Sequence, residues 1–228
     1  MAKTIVDITE TITGDHFRYK NFIREMEWTK DGITKTIPYM SIGHGFTHID
    51  APCHFIPGGE HLYEIDDLLD VLIGRASILD VSYVGPEEPI TAEKLEKAYD
   101  GCETNKVLLV KTGWGKTVDS TTPEYWAKAP YITPDGAKYL ASLNPRLVGY
   151  DFPQDYGIRT AATIPVMYPE TSPTHFEILS KKILMIEYLN YLWKVPAGIK
   201  NVDFYALPLN LYLDKCDGTS IRVVVAYE

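Results

Sequence analysis

Residues 43–55 read Gly43-His44-Gly45-Phe46-Thr47-His48-Ile49-Asp50-Ala51-Pro52-Cys53-His54-Phe55, and four of the chain's six histidines lie between residues 44 and 61. Their spacing matters more than their density. His44, His48, Asp50 and His54 all occupy even positions, so an extended chain would place their side chains on one face. A helix would keep His44 and His48 together but turn Asp50 nearly to the opposite side. Gly43, Gly45 and Pro52 also disfavour a helix. Imidazoles and a carboxylate converging on one face form a donor set for a divalent metal such as zinc or manganese. His54 is then either a further ligand or a general base. His61 follows the turn-rich Pro57-Gly58-Gly59-Glu60 and has odd parity, and His16 lies in a polar stretch expected to be solvated.

A carboxylate in the C-terminal third is out of keeping with its neighbours. Glu187 stands within Ile183-Leu184-Met185-Ile186-Glu187-Tyr188-Leu189, a run that reads as a buried strand. Burying an ionised carboxylate costs several kcal/mol unless a cation or hydrogen bonds compensate, and a metal ion would suffice. Twelve residues earlier, His175 falls in the first turn of a helix opened by Ser172-Pro173, where its side chain can reach an adjoining cleft.

Around these residues the chain alternates strands and helices. Strands are expected at Thr4–Ile8, Ser77–Val81, Val107–Lys111, Leu147–Asp151, Ile183–Leu189, Leu207–Leu213 and Ile221–Tyr227. Asp217-Gly218 suggests a hairpin turn between the last two. Thr91, Thr122, Thr133 and Ser172 are capping residues, each followed by proline or good helix formers, and mark helix starts. The expectation is one mixed α/β domain over residues 1–228 with a substantial sheet core.

Bulk properties narrow the function. The 228 residues are 45% hydrophobic and 23% charged, enough for a packed core. A net charge of -9 without a basic cluster argues against a nucleic-acid partner. No apolar run approaches the roughly 20 residues that span a bilayer, and none near Met1 suits a signal peptide. Cys53, Cys102 and Cys216 have no paired spacing and fit reduced thiols in a cytoplasm. Gly113-Trp114-Gly115-Lys116-Thr117 ends like a phosphate-binding loop, but Val110 stands where the first glycine is needed. A Cys53–His54 nucleophile pair is disfavoured because neighbours on an extended chain face opposite ways.

His44, His48, Asp50, Pro52, His54 and Phe55 together resemble the signature of the metal-dependent cyclase family, which includes bacterial kynurenine formamidases (arylformamidases) and isatin hydrolases. The likeness continues in Ile73-Gly74-Arg75-Ala76, Leu79-Asp80-Val81, Leu108–Trp114 and Val148–Asp151, and in a histidine followed twelve residues later by glutamate, His175 and Glu187. The resemblance implies a swivelling β/β/α fold and a hydrolase of amide, formamide or lactam C–N bonds in small molecules. It implies one or two divalent ions: His44, His48 and Asp50 would bind one, with His175 and Glu187 completing it or holding a second. His54 would act as general base and acid, with Glu187 counted beside it in the catalytic set. A homodimer or tetramer is implied as well. Phe46 stands where the family usually has glycine, which points to a reshaped pocket and keeps a cyclisation or dehydration on the same fold as an alternative. Residues 152–155, Phe-Pro-Gln-Asp, also depart from the family's small, serine-containing stretch. Phe46, Trp114 and Tyr39 are candidate substrate walls. A non-catalytic metal-binding protein is the remaining reading, disfavoured by the extra histidine, His54.

Overall fold

Residues 107–111 are all buried. Val107 and Leu109 pack into one apolar cluster, Leu108 and Val110 into another. A strand with period-two side chains and packing on both faces gives this division, and it organises the whole molecule. The computed structural model describes residues 2–13, 16–19, 22–23, 39–40, 43–103, 106–160, 168–211 and 216–228. Its strands are β1 (Thr4–Asp7), β2 (Phe22–Ile23), β3 (Tyr39–Met40), β4 (His48–Asp50), β5 (Ile73–Asp80), β6 (Pro89–Ile90), β7 (Val107–Lys111), β8 (Tyr131–Ile132), β9 (Leu147–Tyr150), β10 (Leu184–Glu187), β11 (Asn201–Pro208) and β12 (Gly218–Tyr227). The helices are α1 (Leu68–Leu72), α2 (Ala92–Tyr99), α3 (Trp114–Thr117), α4 (Pro123–Ala127), α5 (Pro134–Ser142) and α6 (Pro173–Leu179).

Strands β5, β7, β9 and β10 run parallel, so each step needs a crossover. Helices α2, α5 and α6 lie in those three crossovers. β10 then pairs antiparallel with β4, β4 with β12, β12 with β11, and β11 with β5. The sheet thus closes on itself as a seven-stranded barrel, with β1 added along β12. Ile49, Ile186, Val202, Phe204, Val223 and Val225 fill the interior. The other cluster, including Leu108, Val110, Val148 and Met185, lies between the sheet and the helices. This is the expected mixed α/β domain.

All four expected helix starts are N-caps: Thr91 for α2, Thr122 for α4, Thr133 for α5 and Ser172 for α6. Thr91 accepts from the Lys94 amide and Thr133 from the Gly136 amide. One strand was misplaced. The segment expected at Leu207–Leu213 is instead β11, Asn201–Pro208, in which Val202, Phe204 and Ala206 point inward while Asp203, Tyr205 and Leu207 do not. Its polar outward residues hid the alternation, and Pro208 marks its end. Residues 212–213 lie outside the described ones. β10 is shorter than Ile183–Leu189 because Tyr188 turns to a φ of 59°.

Candidate metal centre and its surroundings

Period two within β4 sends Ile49 into the barrel and leaves His48 and Asp50 on the opposite face. The antiparallel register sets Glu187 of β10 against His48 and Met185 against Asp50. Glu187 therefore emerges on the same face, with Oε2 3.3 Å from His48 Nε2, which is itself 3.2 Å from Asp50 Oδ1. His175, the third residue of α6, brings Nε2 to 3.4 Å from Glu187 Oε1 and 3.9 Å from Asp50 Oδ2. Residues separated by more than 120 positions thus meet at one spot.

The expectation of a single extended run carrying all four even-numbered residues is corrected. Only His48–Asp50 is strand. His44 reaches in from the preceding turn, and His54 from a single 3-10 turn that Pro52 opens. His44 Nδ1 lies 2.7 Å from Asp50 Oδ1, and the His44 and His54 rings stack at 3.7 Å between centroids.

Each ring is fixed from behind. His48 Nδ1 bonds the Phe46 carbonyl at 2.8 Å, which leaves Nε2 facing Asp50 and Glu187. His175 Nδ1 donates to Asp155 Oδ2 at 2.5 Å, while Asp155 Oδ1 accepts from the Thr174 amide. Gln154 donates to Glu187 Oε1. His54 Nδ1 donates to Asp217 Oδ2 at 2.9 Å. Asp217 Oδ1 is also 3.0 Å from His44 Nε2, at ion-pair range but out of line for a hydrogen bond. Sequence reasoning missed Asp155, Gln154 and Asp217. The departure at residues 152–155 was the available signal for the first two.

Phe46 takes a φ of 56°, the left-handed conformation open to glycine and costing another residue about 1–2 kcal/mol. Phenylalanine thus occupies a backbone conformation that glycine would adopt without that strain. Its ring is 1% exposed and packs 5.2 Å from both His16 and Tyr19, so it offers no surface to a substrate. Trp114 is likewise a core residue, donating its indole N–H to the Tyr125 carbonyl. Tyr39 lies in β3, and its side chain is outside the described residues. His16, expected in solvent, is buried: it stacks on Tyr19 and bonds the Ser120 carbonyl through Nε2. His61 stacks on Tyr63 and its backbone amide bonds Glu64; among the described residues it belongs to none of the histidine–carboxylate groups that could hold a metal.

The electrostatics are those of a cation site. Burial opposes ionisation of His44, His48, Asp50, His175, Glu187 and Asp217, and charge pairing outweighs it. Asp50 and Asp217 lift the His44 pKa to about 9. Asp50 and Glu187 hold His48 well above its usual range, and Glu187 with Asp155 raises His175. In return His175 and His48 hold Glu187 at about 2, and the histidines hold Asp50 well below the carboxylate range. Asp217 is lowered by His44 and His54. Protons thus balance the carboxylates, and a dication displaces such protons when it binds.

The donor set fits a metal. His48 Nε2 and Asp50 Oδ2 are buried without a hydrogen-bond partner, a costly arrangement unless an ion joins them. Ligands about 2.0–2.1 Å from a tetrahedral ion stand about 3.3 Å from one another. The 3.2 and 3.3 Å separations of His48 Nε2 from Asp50 Oδ1 and Glu187 Oε2 match that spacing, and His175 Nε2 stands 3.4 Å from the other Glu187 oxygen and 3.9 Å from Asp50 Oδ2. His44–His48–Asp50 and Asp50–His54–His175 both converge closely enough to hold an ion.

Comparison with known proteins agrees. The Cyclase family model, described as "Putative cyclase", matches residues 6–154, and the chain belongs to that family. A kynurenine formamidase of Bacillus thuringiensis (strain Al Hakam) is 27% identical over 227 residues, covering 96% of each chain. A solved structure described as a potential metal-dependent hydrolase with cyclase activity superposes with a TM-score of 0.72 at 26% identity, covering 100% of this chain and 99% of that one. An isatin hydrolase bound to the product analogue thioisatinate shares the fold, with a TM-score of 0.74 at 23% identity over 99% of this chain and 92% of its own.

Proposed function

We propose that this protein is a metal-dependent hydrolase of a non-peptide C–N bond in a small amide, formamide or lactam. The observation that carries the reading is His48 Nε2, buried and unpartnered, within 3.3 Å of a carboxylate of its own strand, Asp50, and of one from the distant β10, Glu187, with His54 stacked on the neighbouring His44. His44, His48, Asp50, His175 and Glu187 would hold one or two ions, with zinc or manganese matching imidazole and carboxylate donors. Such an ion supplies Lewis acidity, polarising a carbonyl oxygen and lowering the pKa of water from about 15.7 towards 7.

The chain's own groups do the rest. His54 Nδ1 gives its hydrogen to Asp217, so the neutral ring keeps an open Nε2 to take a proton from water. The same Nε2 then returns the proton to the departing nitrogen. Asp155 and the Phe46 carbonyl hold His175 and His48 in place. Gln154 keeps Glu187 aimed into the site. With Phe46 buried, its motive for a cyclisation reading falls away.

The reading treats residues 1–228 as one catalytic domain in a homodimer or higher assembly. Tyr205, Leu207, Leu209 and Leu211 support the assembly, being large apolar side chains that are exposed. Three free cysteines suit a reducing cytoplasm. Among the described residues no helix is long and apolar enough to cross a membrane.

The test is elemental analysis joined to a turnover screen over formanilides, isatin-like lactams and aliphatic amides. Near-stoichiometric zinc or manganese, hydrolysis abolished by chelation, and a fall of about 10²–10⁴-fold in kcat for His54→Ala with metal retained are expected. Full activity in that variant would remove His54 from its role. A metal-loaded protein inert across the whole panel would remove the hydrolase reading.

A further inference from the structure

We infer that Asp217 is a positioning residue that fixes the proton-carrying nitrogen of His54 and ties the base to the ligand His44. This deepens the hydrolase reading and rests on His54 being its base. Asp217 precedes β12, and its backbone is tied to β4 and the residue that follows that strand. Its carbonyl accepts the Ala51 amide at 2.8 Å, and the next residue, Gly218, pairs with Asp50 across β4 and β12. The carboxylate is thereby set relative to the very strand that carries His48 and Asp50.

One oxygen lies 2.9 Å from His54 Nδ1 and the other 3.0 Å from His44 Nε2. The two rings stack at an interplanar angle of 15°, so a single carboxylate spans the edges of both. Because a carboxylate only accepts, the hydrogen shared with His54 sits on Nδ1, and Nε2 is left as the acceptor. Histidine–carboxylate pairs of this kind set tautomer and ring orientation.

Gly218 completes the device. A Cβ there would stand 2.5 Å from His44 Cε1, so the position must be glycine for His44 to pack against it. β11 and β12 pair antiparallel as the expected hairpin, and the Asp-Gly pair ends their connection as a carboxylate followed by a clearance at the mouth of β12.

The experiment compares wild type, Asp217→Asn and Asp217→Glu. Zinc-loaded enzymes are assayed for zinc content, kcat and KM on whichever formanilide, lactam or amide the wild type hydrolyses. The metal-free proteins are examined by long-range ¹H–¹⁵N NMR of the His54 ring. Asp217→Asn is expected to retain zinc, to keep KM within about threefold and to lose at least about 10²-fold in kcat, with Asp217→Glu recovering part of it. In the NMR spectra the His54 proton should reside on Nδ1 in wild type and leave that preference in Asp217→Asn. A kcat within threefold of wild type, or zinc lost in step with activity (which would make Asp217 a ligand), overturns the inference. If the wild type hydrolyses nothing, the hydrolase reading fails by itself. The NMR arm still decides, since an unchanged Nδ1–H in Asp217→Asn would refute the positioning role.

Discussion

The two walls of the centre are built differently. The near wall, formed by residues 44–54 and Asp217, has an open rim: the side chains of His44, His54 and Asp217 are 24%, 22% and 42% exposed, while those of His48 and Asp50 are 1% and 0% exposed. On the far wall His175, Glu187 and Asp155 are 3%, 5% and 0% exposed. The near wall is the side of the centre open to solvent. The far wall is enclosed, with Asp155 holding His175 and Gln154 holding Glu187. Mobile chemistry sits on one side and fixed charge on the other, with Asp50 at the junction contacting His44, His48 and His175.

The largest expected effect comes from breaking that junction. Asp50→Asn should lose bound metal and lower hydrolysis by more than about 10³-fold, or about 4 kcal/mol of barrier. Elemental analysis and turnover measure both, and a variant that keeps metal and activity would show that the walls act without Asp50.

Next is the pH response of the metal-free protein. His44 has a folded pKa of about 9 against an ordinary value of 6.5, and its raised value means that the folded state binds the proton more tightly. Its stabilisation is complete below about pH 6.5 and is lost as pH rises through about 9, an effect of order 3 kcal/mol at most. His48 and His175 shift the same way. Urea unfolding between pH 6 and 9 should show falling stability without metal and none of that fall with metal bound. A flat metal-free curve would contradict the proton-balanced site.

The smallest effect separates the walls. Asp155→Asn, behind His175, should weaken metal affinity by about 10–100-fold, whereas Asp217→Asn should leave it nearly unchanged. Isothermal titration measures both. Equal losses would erase the distinction between a holding wall and a reacting wall.

The near wall was legible because its donors crowd into eleven residues, too dense a histidine cluster for ordinary surface. Glu187 stood out for the opposite reason, as one charge in an apolar run. Helix starts were readable from threonine, serine and proline, whose capping preference is local. What escaped were residues whose meaning depends on closure of the barrel. Asp217 looks like any turn aspartate until β12 pairs with β4, and Asp155 like a loop acid until α6 folds over it. Face sharing by parity held within β4 and failed outside it, because Phe46 and Pro52 bend the chain. His16 misled through its polar neighbours, since Phe46 and Trp126, distant in sequence, pack against it.

The most direct test of the metal centre is anomalous diffraction from crystals grown with zinc or manganese. The account predicts a peak within bonding distance of His48 Nε2, Asp50 and Glu187, so that both walls hold the ion. A peak bound by near-wall residues alone, with Glu187 still paired to Gln154 and out of reach, would contradict it.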